Sequence, residues 1–202
     1  MKFLDIFPIG VGVETLASLT PDLIARAIEL IDRSPQFDGG ADGTYTNEQN
    51  FLDDPLFVDV KQEVVAVCKA FTQGYAHEVP GIGICNSWAN VVAKGQGIPA
   101  HKHNNSYISG SFYLTHGSVL SITNPMFLNL FGFMPRVTDN NPRSYAAYKI
   151  KPEPGMVIVF PSGLFHGVAT SQSEHKRYSV AFNAIPLGLI GLPTSFIDLK
   201  LS

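Results

Sequence analysis

The sequence predicts a mainly β domain of sandwich or jelly-roll type, with helices packed on one side. Two observations carry this. Residues 1–80 hold two stretches of helical period, whereas from residue 81 onward the chain breaks into short apolar runs separated by Gly, Pro, Asn and Ser. Many short strands at close spacing point to a sandwich or jelly roll. Size adds a third argument. At 202 residues, with 45% hydrophobic and 15% charged residues, the chain can bury a full core without staples and is too poor in charge to be disordered. The expected organisation is one domain, 1–202, with a helical N-terminal elaboration (1–80) and a jelly-roll core (81–202).

The first helix starts at Thr20-Pro21-Asp22, an N-cap followed by proline at the first helical position. Leu23, Ile24, Ala27, Ile28 and Ile31 then recur with a 3.6-residue period. A second helix is expected from about 56 to 75, with Val60, Val64, Val67, Cys68 and Phe71 on one face. Between the two, residues 35–54 read as a polar loop. Strand-like runs follow at 84–94, 107–115, 118–124, 145–151, 155–160 and 176–185. The segment 124–148 is a long apolar connection containing Met126, Phe127, Phe131, Phe133 and Met134. It is expected to form a lid over the barrel mouth, or else to pack on the helices or on another subunit.

Charge and composition narrow the function. The net charge is −3, from 14 basic and 17 acidic residues, and no basic block is present, which argues against a nucleic-acid partner. No apolar run reaches the ~20 residues that span a bilayer. Asp5, Pro8 and Glu14 interrupt the start of the chain, unlike a signal peptide. Cys68 and Cys85 cannot build a disulfide framework and are expected to be small buried hydrophobes. These features suggest a cytoplasmic, reducing setting with no membrane partner. The oligomeric state is left open.

Three sequence features carry chemistry. In His101-Lys102-His103, residues two apart on a strand share a face, so both imidazoles can reach one metal ion. In Glu153–His166, a Pro-Gly turn enters an apolar strand and a second turn presents His166, either to an inner metal site or to solvent. In Lys176–Asn183, alternation sets Arg177, Ser179, Ala181 and Asn183 on one face and Tyr178, Val180 and Phe182 on the other. If the polar face turns inward, the Arg177 guanidinium can grip a carboxylate with two parallel hydrogen bonds and Ser179 can add a third.

Taken together, these features resemble the 2-oxoglutarate/iron(II) dioxygenases with a double-stranded β-helix core. More narrowly, residues 87–183 are similar to a small 2OG-Fe(II) oxygenase branch of that superfamily. The matching pieces are Trp88-Ala89-Asn90, His101-Lys102-His103, Ser109-Gly110 with Tyr113-Leu114, Pro154-Gly155, Phe160-Pro161-Ser162, His166, Arg177-Tyr178-Ser179 and Phe182-Asn183. Leu4, Phe7 and Pro8 resemble the start of that branch. The resemblance implies that His101 and His166 ligate Fe(II), with His103 at the place of the usual carboxylate ligand. It implies that Arg177 and Ser179 hold the distal carboxylate of 2-oxoglutarate, and that Asn90 and Tyr113 lie near that cosubstrate. Phe112, Tyr113 and Val157–Phe160 are expected as walls of the site. The implied activity is an O₂-dependent oxygenase, expected to hydroxylate a peptidyl or small-molecule substrate.

The chain departs from the common pattern at one place. Most of the superfamily has Asp or Glu where His103 stands, because a 2-His-1-carboxylate face leaves positions open for cosubstrate and O₂. No Asp or Glu occurs from residue 79 to 138, so a carboxylate ligand would have to come from Asp139, Glu153 or Glu174. A three-histidine face is therefore expected. Two other readings are weighed against the oxygenase. The spacing around Gly95…His103 and Gly155…His166 resembles the two cupin motifs, although Tyr107, Ile108 and Thr170 replace their closing residues. That would make a three-histidine metalloenzyme without 2-oxoglutarate. A non-catalytic jelly-roll binding module is the third reading. His77, His116 and His175 are not expected to be ligands.

Overall fold

The structure is a computed structural model. It describes residues 2, 5, 7–126, 141, 143–192 and 194–201. Strand β1 (Gly12–Thr15) leads into helix α1 (Pro21–Arg33). The Thr20 hydroxyl accepts the Leu23 N–H at 3.3 Å, and Pro21 occupies the first turn, where no amide donor is needed.

Residues 35–54, expected as a polar loop, contain a hairpin instead. It is formed by β2 (Gln36–Asp38) and β3 (Thr44–Thr46), joined through a single 3₁₀ turn at Gly40–Asp42, and a second such turn follows at Phe51–Asp53. Pairing with the main sheet makes this a strand: Thr46 is buried and its hydroxyl accepts the Ala89 N–H at 3.0 Å. The hairpin is the polar edge of a larger sheet, so it has no apolar alternation to betray it.

Helix α2 (Val58–Gly74) follows, and then β4 (Gly81–Val92), β5 (Ile98–His101), β6 (Ile108–Tyr113), β7 (Leu120–Thr123), β8 (Ala147–Ile150), β9 (Met156–Pro161), β10 (His166–Val168), β11 (Arg177–Leu192) and β12 (Ser195–Leu199). They form two antiparallel sheets. The large sheet runs β1-β9-β6-β11-β4-β3-β2, with β12 folded back on the far half of β11, and the small sheet runs β5-β10-β7-β8. Neither β1 nor β12 stands out in the sequence.

Period-two alternation sorts the large sheet into two faces. Val91, Phe112, Val157, Val159, Val180 and Phe182 turn outward and form one hydrophobic cluster with Ala27 and Ile31 of α1 and Val60, Val64 and Cys68 of α2. The helices therefore lie on one side of the sheet, as expected. Tyr113, Ile158 and Phe160 turn inward and meet Leu120, Ile122 and Leu164 from the small-sheet side. This corrects the expectation that Phe112, Val157 and Val159 wall the site, since all three belong to the helix-facing core. Gly110 sits where a Cβ would come 2.5 Å from the Phe182 ring and 2.7 Å from the Ile158 carbonyl, so glycine lets that ring cross the sheet.

Within the expected lid segment 124–148, residues 127–140 and 142 lie outside the described residues. Among the described residues, no helix is long and apolar enough to cross a membrane. Cys68 and Cys85 are free thiols. Burial pushes the Cys68 thiol up to about 12, as expected of a small core hydrophobe.

Candidate active site

Strand β5 ends at His101 and β10 begins at His166, and the two are paired across the small sheet. Their ring centroids lie 4.5 Å apart. His103 sits just past β5, anchored by its backbone N–H to the Ser162 carbonyl at 3.0 Å, with its ring stacked on Trp88 at 5.7 Å. One ring nitrogen from each histidine lies within 4.8 Å of the others.

The three imidazoles are already oriented. His101 Nδ1 lies 2.9 Å from the Pro99 carbonyl and His166 Nδ1 lies 2.9 Å from the Leu164 carbonyl. A carbonyl oxygen only accepts, so each of these Nδ1 atoms carries a proton, which leaves Nε2 as the lone-pair nitrogen of the neutral ring. His103 Nδ1 faces Asn183 Oδ1 at 2.6 Å. Burial, helped by the two neighbouring imidazoles, pulls the His166 pKa down to about 4. Burial lowers that of His103 as well. Neutral imidazole is the form that binds a metal.

No carboxylate joins this cluster among the described residues. Glu153 pairs with His116 at 2.9 Å, and Glu174 pairs with Lys94. Asp139 lies outside the described residues. The ligand set on offer is therefore three neutral nitrogens.

All seven residues expected at the site (His101, His103, His166, Arg177, Ser179, Asn90 and Tyr113) line one cavity of about 540 Å³. Strand β11 places the second group. Ser179 is in register with Asn90 of β4 on one side and with Tyr113 of β6 on the other. The Arg177 guanidinium lies 5.0 Å from the centre of the Tyr113 ring. Arg177 is only 2% exposed, yet its Nε and Nη1 atoms, the Tyr113 hydroxyl and the Ser179 hydroxyl are buried with no hydrogen-bond partner among the described residues. Burial lowers the Arg177 pKa and raises that of Tyr113, while each group favours the charged form of the other.

A buried guanidinium without an acid is a costly arrangement. An anion with two oxygens at this spot would satisfy Arg177 in a fork and take hydrogen bonds from Tyr113 and Ser179. The residues present thus fit both a first-row metal ion and an oxyacid. Asn90 is already engaged, accepting from the Trp88 indole N–H at 3.2 Å.

Sequence reasoning missed several lining residues. Asp42, Tyr45 and Gln49 come from the supposed loop 35–54. Gly117 packs so tightly on Arg177 that a Cβ there would lie 2.6 Å from the arginine's own Cβ. The contact of Asn183 with His103 was also missed, although alternation had placed Asn183 on the cavity face.

A jelly roll that sets a three-histidine cluster beside a buried arginine has the side chains to hold a metal ion and an oxyacid together. Residues 86–183 match the protein family described as "Putative 2OG-Fe(II) oxygenase". Through this segment the chain is a 2OG-Fe(II) oxygenase family enzyme, with Fe(II) and 2-oxoglutarate as the cofactors of the family. Solved structures agree on the fold. HygX from Streptomyces hygroscopicus, with nickel and 2-oxoglutarate bound, is 13% identical with a TM-score of 0.62, covering 88% of this chain and 83% of its own. A Pseudomonas putida prolyl-4-hydroxylase is 14% identical with a TM-score of 0.56, covering 87% and 92%. The non-heme alpha ketoglutarate dependent carbocyclase SnoK from nogalamycin biosynthesis is 11% identical with a TM-score of 0.64, covering 89% and 81%. The core is thus a double-stranded β-helix. No curated protein matches the chain in sequence.

Proposed function

We propose that His101, His103 and His166 hold Fe(II), that Arg177, Ser179 and Tyr113 hold the far carboxylate of 2-oxoglutarate, and that the enzyme hydroxylates a small-molecule or peptidyl substrate. The observation that carries this is the buried set of unpaired donors on Arg177, Tyr113 and Ser179, in the wall of the cavity that contains the histidines. A cupin-type metal site without 2-oxoglutarate leaves that set without a purpose.

Fe(II) and 2-oxoglutarate together supply the O₂-dependent oxidation, with 2-oxoglutarate consumed to succinate and CO₂. The chain's own residues set the conditions. The three imidazoles offer lone pairs and no charge, so the triad does nothing to offset a divalent ion and favours a dianionic cosubstrate. Arg177 meets the other end of that dianion in a setting of low dielectric, where the attraction is far stronger than in water. Tyr113 and Ser179 fix its orientation. Asn90, across from Ser179, borders the cosubstrate. Phe160 and Leu120 give an apolar wall that sheds water. Asp42, Tyr45, Gln49 and Trp88 leave a polar and aromatic side for the substrate. Residues 1–80 act as a buttress to the 81–202 core, supported by the hydrophobic cluster the two share. The reducing cytoplasm suits both Fe(II) and the two free thiols.

The test is anaerobic titration of 2-oxoglutarate into the Fe(II)-loaded protein, following the visible metal-to-ligand charge-transfer band. A saturable band, lost in Arg177→Ala, is expected. Iron binding without a band would overturn the cosubstrate assignment, and no iron binding would overturn the metal site.

A further inference from the structure

Asn183 belongs to a matched motif, yet the metal and cosubstrate roles above leave it unused. It sits on the cavity face of β11, 2% exposed, and the two ends of its amide meet opposite chemistry. Oδ1 lies 2.6 Å from His103 Nδ1, 2.7 Å from the Ser109 hydroxyl and 3.2 Å from the Ser106 hydroxyl. Nδ2 donates to Asn86 Oδ1 at 2.9 Å. The Ser162 hydroxyl closes the cluster, 2.9 Å from Ser106 Oγ and 3.0 Å from Ser109 Oγ. Asn86, Ser109 and Asn183 come from three adjacent strands, β4, β6 and β11. Turning the amide over would set its NH₂ against the imidazole N–H and its oxygen against the Asn86 oxygen. With His103 as the Nδ1–H tautomer and Asn86 Oδ1 as acceptor, the amide has one orientation.

The other two histidines each use a carbonyl two residues back in their own chain. His103, outside any strand, has its Nδ1 held instead by a side chain of β11. We propose that Asn183 is the positioning residue for the third ligand. It holds His103 as the Nδ1–H tautomer, with Nε2 turned toward His101 and His166, and it does so through a neutral amide. This rests on the reading that His103 ligates the metal. A carboxylate in the same place would strengthen the imidazole as a ligand and return a negative charge to the site. The amide supplies orientation alone, so the triad stays neutral.

Two measurements test this. Long-range ¹H–¹⁵N correlation spectra of the metal-free, full-length protein at pH 8 read the His103 tautomer directly. We expect Nδ1–H in the wild type and in Asn183→Asp, and a substantial Nε2–H fraction in Asn183→Leu. Co(II) affinity, from competition with a chromophoric chelator, should fall about tenfold or more in Asn183→Leu and rise about tenfold in Asn183→Asp. A purely structural role predicts equal Co(II) affinity in all folded variants, and that result overturns the proposal. If Asn183→Leu does not fold, Asn183→Asp decides alone: tighter Co(II) binding supports the proposal, and equal or weaker binding overturns it. A wild-type protein that binds no Co(II) overturns the metal reading itself. One that binds Co(II) with His103 as Nε2–H overturns only the role of Asn183.

Discussion

His101 and His166 are register partners on adjacent strands of the small sheet, with their rings 4.5 Å apart. Strand pairing therefore presets two of the three ligand directions before any metal arrives. Metal should stabilise the fold by linkage. At a hundredfold excess of Co(II) over its dissociation constant the gain is about 2.7 kcal/mol, or roughly 5–10 °C in Tm for a domain of this size. Thermal scans with and without Co(II) check this. His166→Ala should erase the shift, and a shift that survives would place the ion elsewhere.

Arg177 sets stability against function. Among the described residues its buried charge has no acidic partner. Arg177→Met should leave that protein as stable as the wild type, or more stable by about 1–3 kcal/mol. It should also abolish 2-oxoglutarate binding. Urea unfolding and the charge-transfer titration read the two effects separately. A strongly destabilised Arg177→Met would mean that the arginine is a structural element.

Tyr113→Phe repeats the logic on a smaller scale. It deletes a buried hydroxyl that has no partner, so the cosubstrate-free protein should lose no stability. One charge-assisted hydrogen bond to the carboxylate is lost, which corresponds to roughly tenfold weaker 2-oxoglutarate binding. Unchanged binding would remove Tyr113 from the anion pocket.

Gly117 is a remote handle on the same pocket. A Cβ there would come within 2.6, 2.8 and 2.9 Å of the Arg177 Cβ, Cγ and Cδ. Gly117→Ala must push the guanidinium off its place above Tyr113. We expect weaker 2-oxoglutarate binding with Co(II) affinity intact, since the nearest atoms all belong to Arg177 and none to His101, His103 or His166. Isothermal titration with each ligand distinguishes the two.

The pH dependence of the metal-free protein follows from His166. Its folded pKa, about 4, lies below the usual 6.5. Below pH 6.5 the unfolded chain takes up a proton that the folded chain refuses, so stability is full above 6.5 and is lost as pH falls toward 4. A shift of this size corresponds to about 3 kcal/mol. Chemical denaturation between pH 7.5 and 4 should show the decline, and His166→Gln should flatten it.

The N-cap at Thr20, the apolar stripes of both helices and the alternation of Arg177 and Ser179 against Tyr178 and Val180 were all legible, because each is a local pattern of period 3.6 or 2. So were the seven cavity residues, through their ordered resemblance to a known family. The hairpin 36–46 was not legible, since an edge strand with a polar outer face leaves no alternation to read. Nor were the directions of Phe112 and Val157, because a strand buried on both faces is apolar throughout.

By itself, then, the sequence determined the two helices, several core strands, the fold class and the candidate metal-binding and anion-binding side chains. Only the tertiary structure decided that Arg177, Tyr113 and Ser179 share one buried corner with no partner among the described residues, and that His103 leans on Asn183. Those facts depend on which strands become neighbours and in what register. Register is a property of the whole sheet, which no window of sequence contains.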